Sequence, residues 1–147
     1  MDVIRPKEFK YFDLTKNIIG IFYAVYNELG YGFLESVYEE AMTIGLRDAG
    51  LKVERQVPLP VWFRNQKIGD FRADILVEEA VLLELKCARV FEPVHEAQLL
   101  NYLKATTIEI GLLFNFGPFP QFRRLAFANE RKKIRVNLRE SAAKVSA

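Results

Sequence analysis

Two carboxylates and an ammonium group lie within a short span of the chain: Asp74, then nine residues, then Glu84-Leu85-Lys86. In Phe71-Arg72-Ala73-Asp74-Ile75-Leu76-Val77 the odd positions form an apolar face, as do the odd positions of Val81-Leu82-Leu83-Glu84-Leu85-Lys86-Cys87. With the period of two that strands impose, the opposite face carries Asp74, Glu84 and Lys86 among Leu76, Leu82 and Ala88. A connection through Glu78, Glu79 and Ala80 would pair Val77 with Val81 and set Asp74 opposite Glu84, with Cβ atoms ~5 Å apart. Like charges so placed destabilise a sheet, and taking each ion out of water costs on the order of several kcal/mol. A hard divalent cation held by oxygen ligands is the simplest compensation. The competing explanation is a structural ion pair with Lys86 alone. It suffices for an isolated Glu-x-Lys, but the opposed aspartate and the apolar neighbours favour a metal.

Other polar residues stand where folding alone would put apolar ones. Along the second helical segment, at 100° per residue, Glu35 lies about 20° from Met42 on one side and about 20° from Leu46 on the other. It is therefore aimed at the core edge, whereas Glu39 and Glu40 fall towards the polar face. A first-turn glutamate acting with the helix dipole is the bland alternative for Glu35. Further along, His95, Gln98 and Tyr102 fall within about 60° of one helix face, beside Leu99 and Leu103. Gln98 can accept and donate, so it could hold a carboxylate, a water or a phosphate oxygen. His95 reads as a solvated or satisfied residue.

The elements that must position these groups follow from periodicity. Ile18, Phe22, Val25 and Leu29 mark a helix over 13–29, with Asp13 or Thr15 as N-cap and Gly30 as the stop. Leu34, Val37, Tyr38, Ala41 and Ile44 mark a second over 33–49, closed by Gly50. From Val53 the period becomes two, giving three antiparallel strands at 53–63, 68–77 and 81–88. Pro58 and Pro60 cannot donate ladder bonds, so the first strand belongs at an edge or carries a bulge. Pro93 opens a helix through Lys104, the apolar run 107–116 suits a strand buried on both faces, and 121–128 reads as one more strand.

Composition bounds what these elements can build. With 147 residues, half of them hydrophobic, the chain can bury one core but hardly two. A single cysteine, Cys87, excludes an intramolecular disulfide and a cysteine-based zinc cluster. The first residues are charged and the longest apolar stretch, Ile18 to Tyr26, is far short of a bilayer span, so a cytoplasmic protein with no membrane segment is expected. The formal charge is +2, but residues 121–147 hold 8 Lys and Arg against 2 Asp and Glu, so the rest of the chain is net acidic. A basic stretch beyond an acidic body suits a polyanion partner, or a solvated tail.

Asp74, nine residues, then Glu84-Leu85-Lys86 on a strand hairpin resembles the motif of the PD-(D/E)XK nuclease superfamily, with Ala73 standing where the first proline of that name would be. Gly32-Phe33-Leu34-Glu35-Ser36-Val37-Tyr38 matches a GxxExxY pattern, and Gln98 with Tyr102 matches the QxxxY pattern of RecB-type nucleases. Together with the stretch His95 to Leu103, these residues are similar to the GxxExxY protein family. The resemblance covers about residues 13–128. It implies an α/β (α+β), restriction-endonuclease-like core, a mixed sheet flanked by helices in the order α-α-β-β-β-α-β-β, as one domain over 1–128 with a basic extension over 129–147. It further implies hydrolysis of phosphodiester bonds in nucleic acid, DNA being favoured over RNA, with Mg²⁺ or Mn²⁺ as cofactor. Asp74 and Glu84 would hold the metal, joined by Glu35 and the carbonyl of Leu85, and Lys86 would orient or deprotonate water or neutralise the phosphate. Gln98, Tyr102 and Tyr38 would support the site or touch the nucleic-acid backbone. Arg72, Arg123 and Arg124, with Arg131, Lys132, Lys133 and Arg135, would be phosphate contacts. A homodimer or a partner protein that brings the substrate, and a catalytically inactive nuclease-fold module, are the further expectations to weigh.

Overall fold

The computed structural model describes residues 11–132, in which two helices precede a three-stranded antiparallel run, a crossover helix and a final strand pair. Helix α1 (Phe12–Leu29) and helix α2 (Glu35–Asp48) are followed by β1 (Val53–Phe63), β2 (Gln66–Val77), β3 (Val81–Lys86), α3 (Pro93–Ala105), β4 (Ile110–Phe116) and β5 (Pro120–Ala126). The five strands form one sheet in the order β1-β2-β3-β4-β5, antiparallel except for the parallel β3–β4 pair, which α3 connects. β1 lies at an edge, and its register slips between Val61 and Trp62, so both outcomes expected of its two prolines are present. No helix among the described residues is long and apolar enough to cross a membrane.

Helices cover both faces of the sheet. Ile18, Phe22, Tyr38, Met42 and Leu46 from α1 and α2 pack on Ile75, Val77, Leu83, Leu85, Ile110, Leu112 and Phe114. Leu99 and Leu103 of α3 pack on Leu76, Leu82 and Leu113 from the other side. Every residue of β4 is buried, as a strand sandwiched between helices must be. Aromatic stacking ties the first layer together, with Phe22 on Phe114 at 4.4 Å and Tyr38 on Phe116 at 4.2 Å.

Helix ends differ from the sequence expectation in ways that matter for the site. The N-cap of α1 is Tyr11 in the left-handed region, not Asp13 or Thr15; Thr15 lies on the same stripe as Ile18 and Phe22, so it is buried and donates to the carbonyl of Phe12. Gly30 stops α1 at φ 69, and Gly32 at φ 110 keeps the chain out of a helix until Glu35, two residues later than expected. Glu35 therefore occupies the first turn of α2. The fold continues past residue 128: Asn129–Arg131 form a single 3₁₀ turn whose Asn129 N–H donates to Glu109, and the buried Lys132 donates to the carbonyls of Thr106 and Ile108. Lys133, Arg135 and the rest of the basic stretch lie outside the described residues.

Candidate active site

The centre of the site is the place where β2 and β3 stop pairing. Their ladder contains three pairs, Val77 with Val81, Leu76 with Leu82 and Ile75 with Leu83, on either side of a connection in which Glu78 and Glu79 both have positive φ. The next pair in this register is Asp74 with Glu84. Here the strands part, and each carboxylate replaces a missing ladder bond with one of its own: Asp74 Oδ2 accepts the Leu85 N–H at 2.8 Å, and Glu84 Oε1 accepts the Asp74 N–H at 3.3 Å. An opposed pair of acids is unfavourable within a ladder, and these side-chain bonds stand where the ladder ends.

A bend in the β1–β2 arm accompanies the gap. Ile75 and Val77 pack in the layer of α1 and α2, but Ala73 and Phe71 pack in the layer of α3, so the apolar face expected from 71 to 77 is divided at Asp74. β1 switches in step, with Val53 in the first layer and Val57 and Leu59 in the second. The pivot is Gln56, a non-glycine residue at φ 50, between the pairs Arg55–Ile75 and Val57–Ala73. Such a conformation is rare without a reason in its surroundings. Its side chain donates to Glu39 and lies where it lowers the pKa of the Asp74 carboxyl, and its carbonyl accepts from Arg72 at 2.9 Å.

Glu35, Ser36 and Glu39 of α2 face Gln56, Asp74 and Leu85 across a cleft of about 240 Å³. Burial pushes the Glu84 carboxyl up to about 8, with the charge of Asp74 adding to it. Burial also raises Asp74 and Glu35 above the ordinary carboxylate range. Lys86 is felt by all three acids and lowers each, yet among the described residues it closes no ion pair within 4.0 Å. A structural salt bridge through Lys86 is thus not what compensates the acids. The expected convergence is partial. Asp74 and Glu84 interlock, whereas Glu35 lines the same cleft as an exposed side chain, because its first-turn position holds it at the rim. No three His, Cys, Asp or Glu side chains among the described residues are drawn into a closed ion cage. The donor set does suit a hard cation: carboxylate oxygens of Asp74 and Glu84 and the backbone of Leu85, crowded by like charge and raised in pKa, are oxygen ligands that a divalent ion would relieve.

The other sequence-derived candidates are distributed. Tyr38 is fully buried, donating to the Gly30 carbonyl at 2.6 Å and accepting from the Phe33 N–H, so it anchors the loop before Glu35 and cannot reach a ligand. Tyr102 stacks on Phe71 at 3.3 Å and holds the bent arm against α3, while Gln98 is exposed on that helix and does not line the cleft. Nδ1 of His95 accepts the Glu92 N–H in a capping box at the start of α3. Arg72 serves the Gln56 carbonyl at the cleft's edge. Arg123 and Arg124 point to opposite faces of β5: Arg123 pairs with Glu96 and lies over Phe91, and Arg124 donates to Thr15 on α1. They cannot form one phosphate patch. Arg131 lies over Phe127, and Lys132 is buried under its two carbonyl bonds.

Three residues of the site were missed. Glu39, assigned to the polar face, lies in the cleft because Arg55 and Gln56 draw it there. Gln56 carried no signal, since nothing in an alternating strand marks a left-handed pivot. Asn115, in the apolar run of β4, is fully buried; its Oδ1 accepts the Ala88 N–H at 2.9 Å and its Nδ2 donates to the Ala88 carbonyl at 2.8 Å. It pairs with Lys86 in the parallel ladder and fixes the chain that leaves it. A polar residue in a run buried on both faces was the available clue.

A family model described as the PD-(D/E)XK nuclease superfamily matches residues 12–125. The five-stranded mixed sheet with flanking helices is the restriction-endonuclease-like α+β core. Among solved structures, the crystal structure of SSO0001 is similar at 16% identity and a TM-score of 0.51, over 99% of this chain and 80% of that one. An alkaline exonuclease from Laribacter hongkongensis aligns at 13% identity and a TM-score of 0.48, over 76% of this chain and 68% of its own. Comparison with curated proteins gives no match.

Proposed function

The chain belongs to the PD-(D/E)XK nuclease superfamily, and from that premise we propose that it hydrolyses phosphodiester bonds of nucleic acid, DNA in the first place, with Mg²⁺ or Mn²⁺ as cofactor. The observation that carries the reading is the opened β2–β3 ladder, where two interlocked carboxylates with raised pKa values stand beside an ammonium group that pairs with neither. Asp74, Glu84 and the Leu85 carbonyl are the residues that would hold the cation, which keeps several waters and needs only one or two carboxylates. When bound, it would supply charge stabilisation at the phosphate and a lowered pKa for water.

The chain's own groups do the rest. Asp74 is held in place by the Leu85 N–H on one oxygen, so it presents a fixed carboxylate rather than a mobile one. Glu35, exposed at the rim and opposite Asp74, orients water in the cleft. Lys86, not engaged in an ion pair, is available to neutralise negative charge that develops on the scissile phosphate and, as a donor, to orient the attacking water. Labelled DNA and RNA incubated with Mg²⁺ or Mn²⁺ provide the test. Cleavage should fall by at least about a hundredfold in Lys86→Ala and in Asp74→Asn, the scale of a lost acid–base or charge-stabilising group. Cleavage that persists in both variants would remove the assignment.

A further inference from the structure

The acids and the lysine account for the bond to be cut but not for the surface around it. Three loops meet at the end of the sheet where β3 and β4 finish. The 30–34 loop is tied to the chain after Lys86, with Cys87 Sγ 3.8 Å from the Phe33 carbonyl. The 117–119 turn is tied to the end of α1, where the Tyr26 hydroxyl lies 2.8 Å from the Gly117 carbonyl and 2.9 Å from that of Pro118. Gly117 in turn abuts the chain at Ala88, so closely that a Cβ there would come within 2.0 Å of the Ala88 carbonyl oxygen. Residues 30–34, 87–91 and 117–119 therefore form one continuous rim, joined to the cleft by Glu35 and Lys86.

This rim is apolar and aromatic in a way that packing does not explain. Tyr31 is 64% exposed, Phe33 48% and Phe119 73%, with Leu34 and Val90 also open to water. Phe33 is not loose: it stands edge-on to the buried Tyr38, ring centroids 6.0 Å apart at 75°. None of the three segments contains an acidic residue, while Arg89 lies within one and Lys86 precedes it. Exposed rings on segments that carry Arg89 and no acid of their own, with Glu35 and Glu92 only at their ends and Lys86 alongside, suit a chain of phosphates whose bases are unpaired, because base faces stack on aromatic side chains while the backbone follows the positive charge. Duplex DNA keeps its base faces inside the stack and offers the rings nothing.

We infer that the rim of Tyr31, Phe33 and Phe119 binds single-stranded nucleic acid by base stacking and delivers it to the Asp74–Glu84 cleft. The inference rests on the phosphodiesterase reading above and narrows its substrate to unpaired strands. The probe is a short fluorescent oligothymidylate, compared by anisotropy in EDTA with an abasic oligonucleotide of the same length and with a duplex. Oligothymidylate should bind about tenfold more tightly than either, the scale of one or two stacked bases. Tyr31→Ala, Phe33→Ala and Phe119→Ala should each weaken it several-fold without changing abasic binding, and Phe119→Trp should restore it. These side chains are exposed, and unchanged melting temperatures would exclude misfolding as the cause. Equal affinity for the thymidylate and abasic strands, or thymidylate binding indifferent to all three substitutions, would overturn the inference and leave the rim to a protein partner. Lys86-dependent cleavage of duplex alone would overturn it while the nuclease reading stood. Ring-dependent binding of oligothymidylate without any Lys86-dependent cleavage would support the rim and remove the nuclease reading.

Discussion

Replacing Glu84 by glutamine keeps the shape of the side chain and an oxygen to accept the Asp74 N–H, and removes only the charge. In the folded protein burial and the facing Asp74 hold the Glu84 carboxyl at about 8, against an ordinary value of 4.5. The folded state thus binds a proton that the unfolded chain releases earlier. Below about pH 4.5 both states are protonated and wild type and Glu84→Gln should be equally stable. Between about pH 4.5 and pH 8 the unfolded chain ionises first, so wild type should lose about 1.4 kcal/mol per pH unit relative to the variant, about 5 kcal/mol across the window. Above about pH 8 both states are ionised and the gap is constant. Urea unfolding of the two proteins in EDTA, at about pH 4 and about pH 9, measures it directly. Adding Mg²⁺ at about pH 9 should then stabilise wild type and leave the variant nearly unmoved, since a ligand that binds only the folded state raises stability by mass action. A gap below about 1 kcal/mol at about pH 9, or one that widens towards acid, would show that Glu84 is not held in a charge-opposing environment and would refute the argument.

Gln56→Gly should relieve the left-handed backbone at φ 50 and leave stability unchanged or about 1 kcal/mol higher. It should nevertheless weaken Mn²⁺ binding by about fivefold, because the Gln56 side chain favours the charged form of Asp74. Calorimetric uptake equal to wild type would make Gln56 a mere bend residue. Asn115→Leu should leave the Ala88 N–H and carbonyl unpaired and cost about 2–4 kcal/mol in a denaturant titration, with a loss of cleavage as the chain after Lys86 loosens. A cost under about 1 kcal/mol would show that water replaces Asn115 and that the clamp is unimportant.

Much of the fold was legible because periodicity is a strong constraint. The helices at 12–29, 35–48 and 93–105, and all five strands, lie within a few residues of the positions that apolar spacing indicated, and the Val77–Val81 pair was fixed by connection length. Opposition of Asp74 and Glu84 followed from that register alone. What was not legible lies where the period breaks. A reading that carries one face through 71–77 cannot foresee that Gln56 and Asp74 turn the arm from one helix layer to the other. Nor can helical angles show that Arg55 reaches from the sheet to draw Glu39 inward, or that Tyr102 is taken up by Phe71. Residue type also misled at the basic end: charge alone placed Lys132 among the phosphate contacts, but its ammonium is buried and donates to the carbonyls of Thr106 and Ile108.

These departures are not scattered. The lost ladder bonds at Asp74 and Glu84, the positive φ of Gln56, the raised carboxylates and the buried Asn115 all concern residues that line the cleft, pair with a residue that does, or fix the end of β3. Each is unfavourable or unusual for folding when taken singly, since an opposed acid pair weakens a sheet and a left-handed glutamine in a strand is strained. Packing above and below makes the arrangement sustainable: α1 and α2 hold Ile75 and Leu83 firmly on one side of the gap, while α3 holds Phe71 and Ala73 on the other. A strand gripped on both sides of a break can hold two carboxylates out of the ladder although both are largely buried. On the proposed reading, relieving the pair at either acid should make the chain more stable and less able to bind a cation.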